Sequence, residues 1–376
     1  MSGIQPPTGI LNDRMIRELI EAGHVRLAAA PDARQVQPAS LDLRLGDVAY
    51  RVRASFLPGR ASTVAEKLAR FALHEIDLAR GAVLETGCVY IVPLLESLAL
   101  SRDVAAAANP KSSTGRLDVF TRVIADHAAQ FDQVEAGYAG PLYLEVSPRT
   151  FPILVRTGSR LTQMRFRRGH AALSEMETLL LHEREVLVGG TDEPSITSRG
   201  IAMSIDLQGE MGGGEAPGLV GYRGKRHASL VDVDRVGAHD LHDYWEPLHV
   251  RGPLDRGGRD LVLDPDQFYI LVSREAVHVP PAYAAEMVPF DPLVGEFRVH
   301  YAGFFDPGFG HRAAGGAGAR AVLEVRSHEV PFILEHGQTV GRLLYERMAE
   351  EPAEPYGAGL ASNYQAQGLK LSKHFR

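Results

Sequence analysis

The chain has 376 residues, 45% of them hydrophobic and 23% charged, a composition typical of a soluble globular protein of about two domains. Its formal net charge of −7 disfavours broad nucleic-acid binding, although it is compatible with a local basic pocket for one nucleotide. No apolar run approaches the ~20 residues that span a bilayer, and the first residues lack the charged and apolar regions of a signal peptide. We therefore expect a cytoplasmic protein that binds neither nucleic acid nor membranes.

The predicted elements are one N-terminal helix followed by many short strands. Asn12 precedes apolar residues at helical spacing, which predicts a capped helix that ends near Gly23. The predicted strands include Ser40–Leu45, Val89–Pro93, Leu142–Val146, Ile153–Val155, Phe268–Val272 and Ala321–Val325. Short strands separated by Gly and Pro favour a mostly β fold, with a barrel or sandwich in each half.

The sharpest local motif is the segment Asn109-Pro-Lys-Ser-Ser-Thr-Gly-Arg116. Hydroxyl donors, a glycine that lets the backbone approach, and cations suit a phosphate chain. The candidate phosphate-binding residues are Lys111, Ser112, Ser113, Gly115 and Arg116. The segment is not a Walker loop, because the Gly-Lys-Ser/Thr ending is absent. Taken alone, a Ser/Gly/Arg turn of this kind is more often a surface loop.

The chain contains the same module twice. Leu144-Glu-Val recurs as Leu323-Glu-Val, and Gly158 recurs as Gly337, each 179 positions later (324 − 145 = 179). Upstream, Ser40-Leu-Asp-Leu resembles Ser204-Ile-Asp-Leu at an offset of 164 (204 − 40 = 164). A long period of this kind indicates duplicated domains. We predict module one at residues 1–184 and module two at residues 185–376, with an insertion within 209–258.

The two modules divide their chemical motifs unevenly. At the 179 offset, Lys111–Arg116 corresponds to Phe290–Gly295, which has lost the hydroxyl donors and the cations. Module two instead has a compact hairpin from His300 to Phe309 with Asp306 at its turn, and module one has a longer, less turn-like segment there. Such a hairpin can present backbone groups to the edge of a base, but it is also an ordinary β-turn sequence.

A second cluster, His239-Asp-Leu-His-Asp243, offers side chains of the kind that bind metals. No third set of ligands is evident in the sequence, so the segment is predicted to be a solvated loop.

Four segments resemble the dCTP deaminase family: Gln37–Gly46, Pro110–Arg116, Gly137–Glu145 and Tyr364–Gly368. The resemblance covers most of the chain and implies two tandem modules of the trimeric dUTPase-like β fold. It implies that dCTP is deaminated to dUTP and ammonia, with Mg²⁺ bound to the triphosphate and related deoxynucleotides as further ligands. It also implies a homo-oligomer.

In this family the cytosine lies between the phosphate-binding turn of one module and the hairpin of a neighbour. A glutamate on the strand after the hairpin is the general base and acid. The resemblance places the hairpin at Ala302–Asp306 and the strand glutamate at both Glu145 and Glu324. Because the family takes hairpin and glutamate from one module, we expect Glu324 to act opposite Ser112 and Arg116. Glu145 would be a relic or a structural partner.

The C-terminal segment also matches the family in part. Tyr356 and Gln367 fall where the family's tail covers the nucleotide. Asn363 stands where the family usually has lysine, and Phe304 stands where it often has arginine.

The implied chemistry is physically reasonable for this chain. Hydrolytic deamination needs a hydroxide at C4 of the base and protons for the ring and the departing amine, and one buried carboxylate can transfer them. Zinc deaminases need a Pro-Cys-x-x-Cys motif, which a chain whose single cysteine is Cys88 cannot supply. Three alternatives stay open: a dUTPase, a bifunctional enzyme in which Asp306 orients water at the phosphates, and a non-catalytic nucleotide sensor.

Overall fold

The computed structural model describes residues 7–191, 193–209, 218–249, 260–289, 297–299, 303–327, 329–357 and 368–376. The α-helices within these ranges are α1 (Asp13–Glu21), α2 (Val64–Phe71), α3 (Ser112–Gly115), α4 (Glu175–Arg184) and α5 (Leu241–Tyr244), with a 3-10 helix at Arg312–Ala314. The other elements are strands, so the predicted mostly β fold is confirmed. None of the described helices is long and apolar enough to cross a membrane.

The strands of module one are β1 (Gly9–Ile10), β2 (Val25–Leu27), β3 (Leu41–Leu43), β4 (Val48–Val52), β5 (Ala72–Asp77), β6 (Ala82–Leu84), β7 (Val89–Ala99), β8 (Val104–Pro110), β9 (Val119–Ala125), β10 (Gln133–Val134), β11 (Ala139–Pro148), β12 (Ile153–Val155) and β13 (Thr162–Arg168).

The strands of module two are β14 (Val188–Gly189), β15 (Ile196–Thr197), β16 (Gly200–Ser204), β17 (Leu219–Gly224), β18 (Val231–Asp232), β19 (Trp245–His249), β20 (Asp260–Leu263), β21 (Phe268–Val277), β22 (Tyr283–Pro289), β23 (Phe297–Val299), β24 (Phe304–Phe305), β25 (Ala319–Ser327), β26 (Phe332–Glu335) and β27 (Thr339–Arg347).

The N-terminal helix forms as the sequence predicts. The side chain of Asn12 accepts a hydrogen bond from the backbone N–H of Met15 at 3.0 Å, which satisfies a donor of the first turn. Met15, Ile16 and Leu19 are buried in the core of module one. Gly23 follows the helix with a φ of 74°, a conformation that favours glycine and ends the helix there.

The main sheets of the two modules have the same plan. Their strand orders are β5-β4-β7-β11-β9 in module one and β19-β17-β21-β25-β23 in module two. Ile91 pairs with Glu145 in the first sheet, and Ile270 pairs with Glu324 in the second. The registers therefore confirm the offset of 179 residues between these parts of the modules.

The predicted offset of 164 at the upstream motif is wrong. Leu41 pairs with Met164, and the equivalent pair in module two is Ile201 with Leu343, so the offset there is 160 (201 − 41 = 160). Side chains alternate along a strand with a period of two, so a shift of four residues keeps every apolar side chain on its own face. Sequence similarity alone could not distinguish the two registers.

Each module adds a second sheet, ordered β1-β13-β8-β10 in module one and β15-β16-β27-β22-β24 in module two. The space between the sheets of each module holds a separate apolar core. Leu144 and Phe166 belong to the first core, and Leu323 and Tyr345 belong to the second. Their close packing makes each module a rigid frame for the side chains at its surface.

The segment 225–244 joins the two modules. Its strand β18 pairs in parallel with β12 of module one, and Val231 and Tyr244 are buried in the core of module one. His239 is half-buried against the ring of Tyr244, so the prediction of a solvated loop is wrong for this residue. The apolar residues of the segment provide a face that stabilises the junction between modules.

Candidate active site

The predicted phosphate-binding turn lies at the start of helix α3, between β8 and β9. Lys111 precedes the helix and Arg116 follows it, with the Arg116 N–H bonded to the Ser112 carbonyl at 3.1 Å. Ser113, Gly115 and Arg116 are buried, and Ser112 is half-buried. The tight turn thus brings all five predicted phosphate-binding residues into one short, ordered segment.

The structure brings Arg116 of module one next to Glu324 of module two. The distance from Arg116 Nε to Glu324 Oε1 is 3.8 Å, and the two side chains are only 4% and 7% exposed. Burial raises the pKa of the Glu324 carboxyl to about 7, and the neighbouring Arg116 charge opposes that rise. A carboxyl group with this pKa exists in both protonation states near neutral pH.

The main sheet of module two is covered on both faces, by its own core on one face and by module one on the other. Glu324 lies on the face that packs against module one. Leu323 and Val325 point into the core of module two. Ile270 and Val322 belong to the face that carries Glu324, and they pack into the apolar core of module one. The alternation of the strand therefore directs Glu324 to the boundary between modules.

Glu145 occupies the equivalent position of module one but has different surroundings. Its Oε1 accepts hydrogen bonds from Arg122 Nε and Nη2 at 3.0 and 2.7 Å, and its Oε2 is buried without a partner in the described parts of the chain. Val64 and Leu68 of α2 pack on the same face of the sheet, against Ile91. The segment 53–71 thus covers the face that carries Glu145; we call this segment the cap.

Lys111 already has a partner. Its ammonium group lies 2.5 Å from the carboxylate of Asp42, which is 2% exposed, and Arg160 lies 3.6 Å from the same carboxylate. Module two has Ala202 at the position of Asp42, by the register of β3 and β16. The ion pair is therefore specific to the module that carries the turn.

The sequence predicts a compact hairpin in module two alone, but the structure has one in each module. Phe304 and Phe305 pair with β22, and Phe309 N–H closes the turn on the Asp306 carbonyl at 3.0 Å. Module one makes the same arrangement with β10, where Tyr138 N–H closes on the Glu135 carbonyl at 3.2 Å. The turn is hence a feature of both modules, which a comparison of the loop sequences did not reveal. Ala302 lies outside the described residues.

Tyr356 contacts the hairpin rather than the turn. Its N–H donates to the Pro307 carbonyl at 2.7 Å, and its ring lies 5.9 Å from the ring of Phe309. Gln367 and Asn363, the other residues of the predicted tail, lie outside the described residues. The described part of the tail before these residues therefore belongs to the hairpin side of the site.

The C-terminal residues contact the phosphate-binding turn from the other side. Arg116 Nη1 donates to the Lys370 carbonyl at 3.0 Å, and the Ser372 hydroxyl donates to the Ser113 carbonyl at 2.7 Å. His374 is buried and lies 2.9 Å from the Val233 carbonyl through Nε2. The end of the chain thus binds both the turn and the segment that joins the modules.

In the described portion of the chain, no group of three or more His, Cys, Asp or Glu side chains is placed to hold a metal ion. His239 instead contacts the backbone N–H of Asp232 through Nε2 at 3.2 Å. Its pKa is lowered by burial.

Profiles of known families match both halves of the chain. The profile of the N-terminal domain of 2'-deoxycytidine 5'-triphosphate deaminase matches residues 7–170, and that of the C-terminal domain matches residues 174–375. The chain belongs to the dCTP deaminase family. These matches confirm the family that the sequence resembles and the prediction of two tandem modules of the dUTPase-like fold.

Individual members of the dCTP deaminase family agree with this assignment. The crystal structure of 2'-deoxycytidine 5'-triphosphate deaminase from Agrobacterium tumefaciens shares 66% sequence identity and a TM-score of 0.85, over 92% of this chain and 99% of that one. Proteins named "dCTP deaminase, dUMP-forming" from Kocuria rhizophila and Parafrankia sp. are 32% and 35% identical over 158 and 159 residues. These stretches cover 78% and 74% of the relatives but 42% and 41% of this chain, as expected when a shorter protein matches one module.

Sequence reasoning did not identify several residues that surround the site. Asp42 lies within the Ser40-Leu-Asp-Leu motif, and its replacement by Ala202 in module two was hidden by the wrong register. Arg165 and Ser372 had no local signal, because their partners are far away in the sequence.

Proposed function

We propose that this protein deaminates dCTP to dUTP and ammonia, with Glu324 as the general base and acid opposite Ser112 and Arg116. The observation that carries the proposal is the buried Glu324 carboxyl of one module, 3.8 Å from the Arg116 guanidinium of the other module's turn. Its pKa of about 7, raised by burial, suits a group that must accept and donate protons near neutral pH.

The reaction adds water to C4 of the cytosine ring and releases the amino group as ammonia. The Glu324 carboxylate accepts one proton from the attacking water as the C4–O bond forms, and it passes that proton to N3. It then accepts the proton of the new C4 hydroxyl and delivers it to the amino group, which leaves as the C4–N bond breaks. One carboxylate thus serves both transfers, and the product carries a carbonyl at C4.

The phosphate end of the substrate would lie at the turn. The hydroxyls of Ser112 and Ser113, the backbone at Gly115 and the cations Lys111 and Arg116 are the groups we assign to it. Lys111 would exchange part of its contact with Asp42 for a phosphate oxygen. We propose that the substrate is Mg²⁺–dCTP, with the ion carried by phosphate oxygens and water.

We assign the base to the hairpin side, between Asp306 and Glu324. Ala302, the backbone around Asp306, Tyr356 and Gln367 are the remaining candidate contacts for the nucleotide. The position of the hairpin supports this assignment. Asp306 directly precedes Pro307, and the Tyr356 N–H donates a hydrogen bond to the Pro307 carbonyl at 2.7 Å. Glu145 has no part in this site and serves as the structural partner of Arg122.

The first test is to identify the products that the protein forms from Mg²⁺–dCTP, comparing wild type with Glu324→Gln. Ammonia and dUTP should appear in equal amounts, and the Gln variant should lose about 10³-fold in turnover, the middle of the range for a general acid–base group. An active Glu324→Gln variant would refute the assigned role. Binding of dCTP without turnover by the wild type would support the nucleotide-sensor alternative.

A second candidate function is a bifunctional enzyme that goes on to release dUMP. The observation in its favour is that the relatives from Kocuria rhizophila and Parafrankia sp. are named dUMP-forming. In this function Asp306 would orient a water molecule at the phosphates, and burial raises the pKa of its carboxyl, which makes the carboxylate a stronger base toward that water. Pyrophosphate release alongside ammonia in the same assay would establish this function, and its absence would leave dUTP as the end product.

The predicted homo-oligomer and cytoplasmic location stay proposals. Size-exclusion chromatography with light scattering would give the number of chains in the assembly. Fractionation of the source cells would give the location.

A further inference from the structure

Arg165 connects the two modules from the middle of strand β13. Its side chain is 2% exposed, although it carries a full charge. Its Nη1 donates to the Ala285 carbonyl at 2.9 Å, and its Nη2 donates to the Phe305 carbonyl at 2.8 Å and to Asp306 Oδ1 at 3.3 Å. These acceptors all belong to module two.

Further contacts compensate for the burial of the charge. The guanidinium carbon lies 4.1 Å from the centroid of the Phe304 ring, and Nη1 lies 3.7 Å from the Glu346 carboxylate. A buried arginine needs such partners, because an uncompensated charge in a protein interior is strongly destabilising. The planar guanidinium can bond to several acceptors and stack on a ring at once, which a lysine cannot do.

The scaffold itself does not require this arginine. Arg165 pairs with Ala107 in module one, and the equivalent pair in module two is Leu344 with Glu286. The same strand position is therefore apolar in the module that lacks the phosphate-binding turn. Arg165 is thus specific to the junction between the turn-bearing module and the hairpin of the other module.

A chain of charges leads from Arg165 to the turn. Asp306 lies 3.3 Å from Arg165. Burial raises the pKa of its carboxyl, and the charges of Arg165 and Lys111 both oppose that rise. Lys111 is paired with Asp42 and directly precedes Ser112 of the turn. The hairpin is therefore linked to the turn through alternating charges, and Arg165 lies at the hairpin end of the link.

We propose that Arg165 is a positioning residue that holds the base-binding hairpin of module two in register with the phosphate-binding turn of module one. It brings a cation from module one against the ring of Phe304 in the hairpin. The proposal rests on the proposed function for the assignment of hairpin and turn to the two ends of the nucleotide. It predicts that loss of Arg165 weakens recognition of the nucleoside part but spares the phosphate part.

Calorimetric binding of dCTP and of inorganic tripolyphosphate separates the two ends of the site without requiring turnover. Arg165→Met should weaken dCTP binding about 10-fold, the size of effect expected of a residue that couples two parts of a site without contacting the ligand. Its affinity for tripolyphosphate should stay close to that of the wild type. Arg165→Lys, which keeps the charge but not the planar fork, should lie between the two. Arg168→Met is the matched control, because Arg168 lies on the same strand and pairs with the exposed Asp103.

Equal weakening of dCTP and tripolyphosphate by Arg165→Met would overturn the proposal, since it would mean a general structural role. Unchanged binding of both would overturn it as well. If Arg165→Met does not fold, the ratio of the two affinities in Arg165→Lys decides between these outcomes. If the wild type bound dCTP without deaminating it, the proposed function would be refuted. The effect of Arg165→Met on the two binding affinities could still be measured.

Discussion

The same face of the same strand is covered in two different ways in the two modules. In module one, the cap (residues 53–71) covers the face that carries Glu145. In module two, the equivalent face carries Glu324 and is covered by module one itself. The duplicated scaffold thus places one carboxylate inside a module and the other between modules.

The difference in cover sets the chemistry of the two carboxylates. Glu145 receives two hydrogen bonds from Arg122, at 3.0 and 2.7 Å, and is held in an ion pair inside its own module. Glu324 lies 3.8 Å from Arg116, and burial dominates its environment enough to raise its pKa to about 7. Equivalent strands therefore place one glutamate in an ion pair within a module and the other in a buried site between modules, where its raised pKa suits proton transfer.

The largest expected effect comes from exchanging the two glutamates for glutamine one at a time. Glu324→Gln should lower dCTP turnover about 10³-fold. Glu145→Gln should leave turnover nearly unchanged but destabilise the protein by about 1–3 kcal/mol, because Arg122 then loses its charged partner. Steady-state kinetics and urea unfolding of both variants check this. Loss of turnover in Glu145→Gln alone would mean that the roles are reversed.

The cap gives the next largest effect. Leu68 is 6% exposed and packs on the face that carries Glu145, so Leu68→Ala should cost about 2–4 kcal/mol of unfolding free energy. The activity of the folded variant should be that of the wild type. Leu73→Ala is the control, because Leu73 is 60% exposed and its truncation should have little effect. If the folded Leu68→Ala variant instead had lower activity than the wild type, the cap would take part in catalysis.

The raised pKa of Glu324 predicts how the stability of Glu324→Gln depends on pH. The folded protein binds the Glu324 proton more tightly than the unfolded chain, so the stability from this group is complete below its ordinary pKa of 4.5 and is lost as pH rises through about 7. Glutamine does not titrate. The free energy of unfolding of the variant, relative to that of the wild type, should therefore rise between these pH values, by roughly 3 kcal/mol at most.

Thermal or urea unfolding at several pH values measures this difference. Burial also raises the pKa of Asp132 to about 7, but Asp132 is present in both proteins and cancels. A difference in stability that does not change with pH would mean that Glu324 titrates normally.

The smallest expected effect concerns the end of the chain. The Ser372 hydroxyl lies 2.7 Å from the Ser113 carbonyl and 2.8 Å from His374 Nδ1, so Ser372→Ala removes two buried contacts and should cost about 1–2 kcal/mol of stability. Because Ser113 belongs to the turn, the KM for dCTP should rise a few-fold while kcat changes little. An unchanged KM would show that the turn keeps its conformation without this contact.

Much of the scaffold could be predicted from the sequence. The offset of 179 residues is confirmed by the strand registers, and the capped helix begins at Asp13 as predicted. Apolar alternation and helix capping are local properties, so the sequence displays them directly. The resemblance also selected the two residues, Arg116 and Glu324, that the structure brings within 3.8 Å.

Contacts between the modules could not be predicted in the same way. The role of segment 225–244, the cap over Glu145 and the contacts of Arg165 depend on which surfaces meet after folding. A repeat comparison aligns equivalent positions but does not reveal which module covers which face. The wrong upstream offset has a similar origin, because a strand tolerates a shift by an even number of residues without changing its pattern.

Strand β18 belongs to module two along the chain, yet it completes a sheet of module one by pairing with β12. Separating the modules would therefore break backbone hydrogen bonds and expose Val231 and Trp245, which are buried in the same core. The two halves should accordingly melt in a single cooperative transition rather than as independent domains. A protease cut between β13 and β14 should leave two fragments that stay associated until that transition is reached.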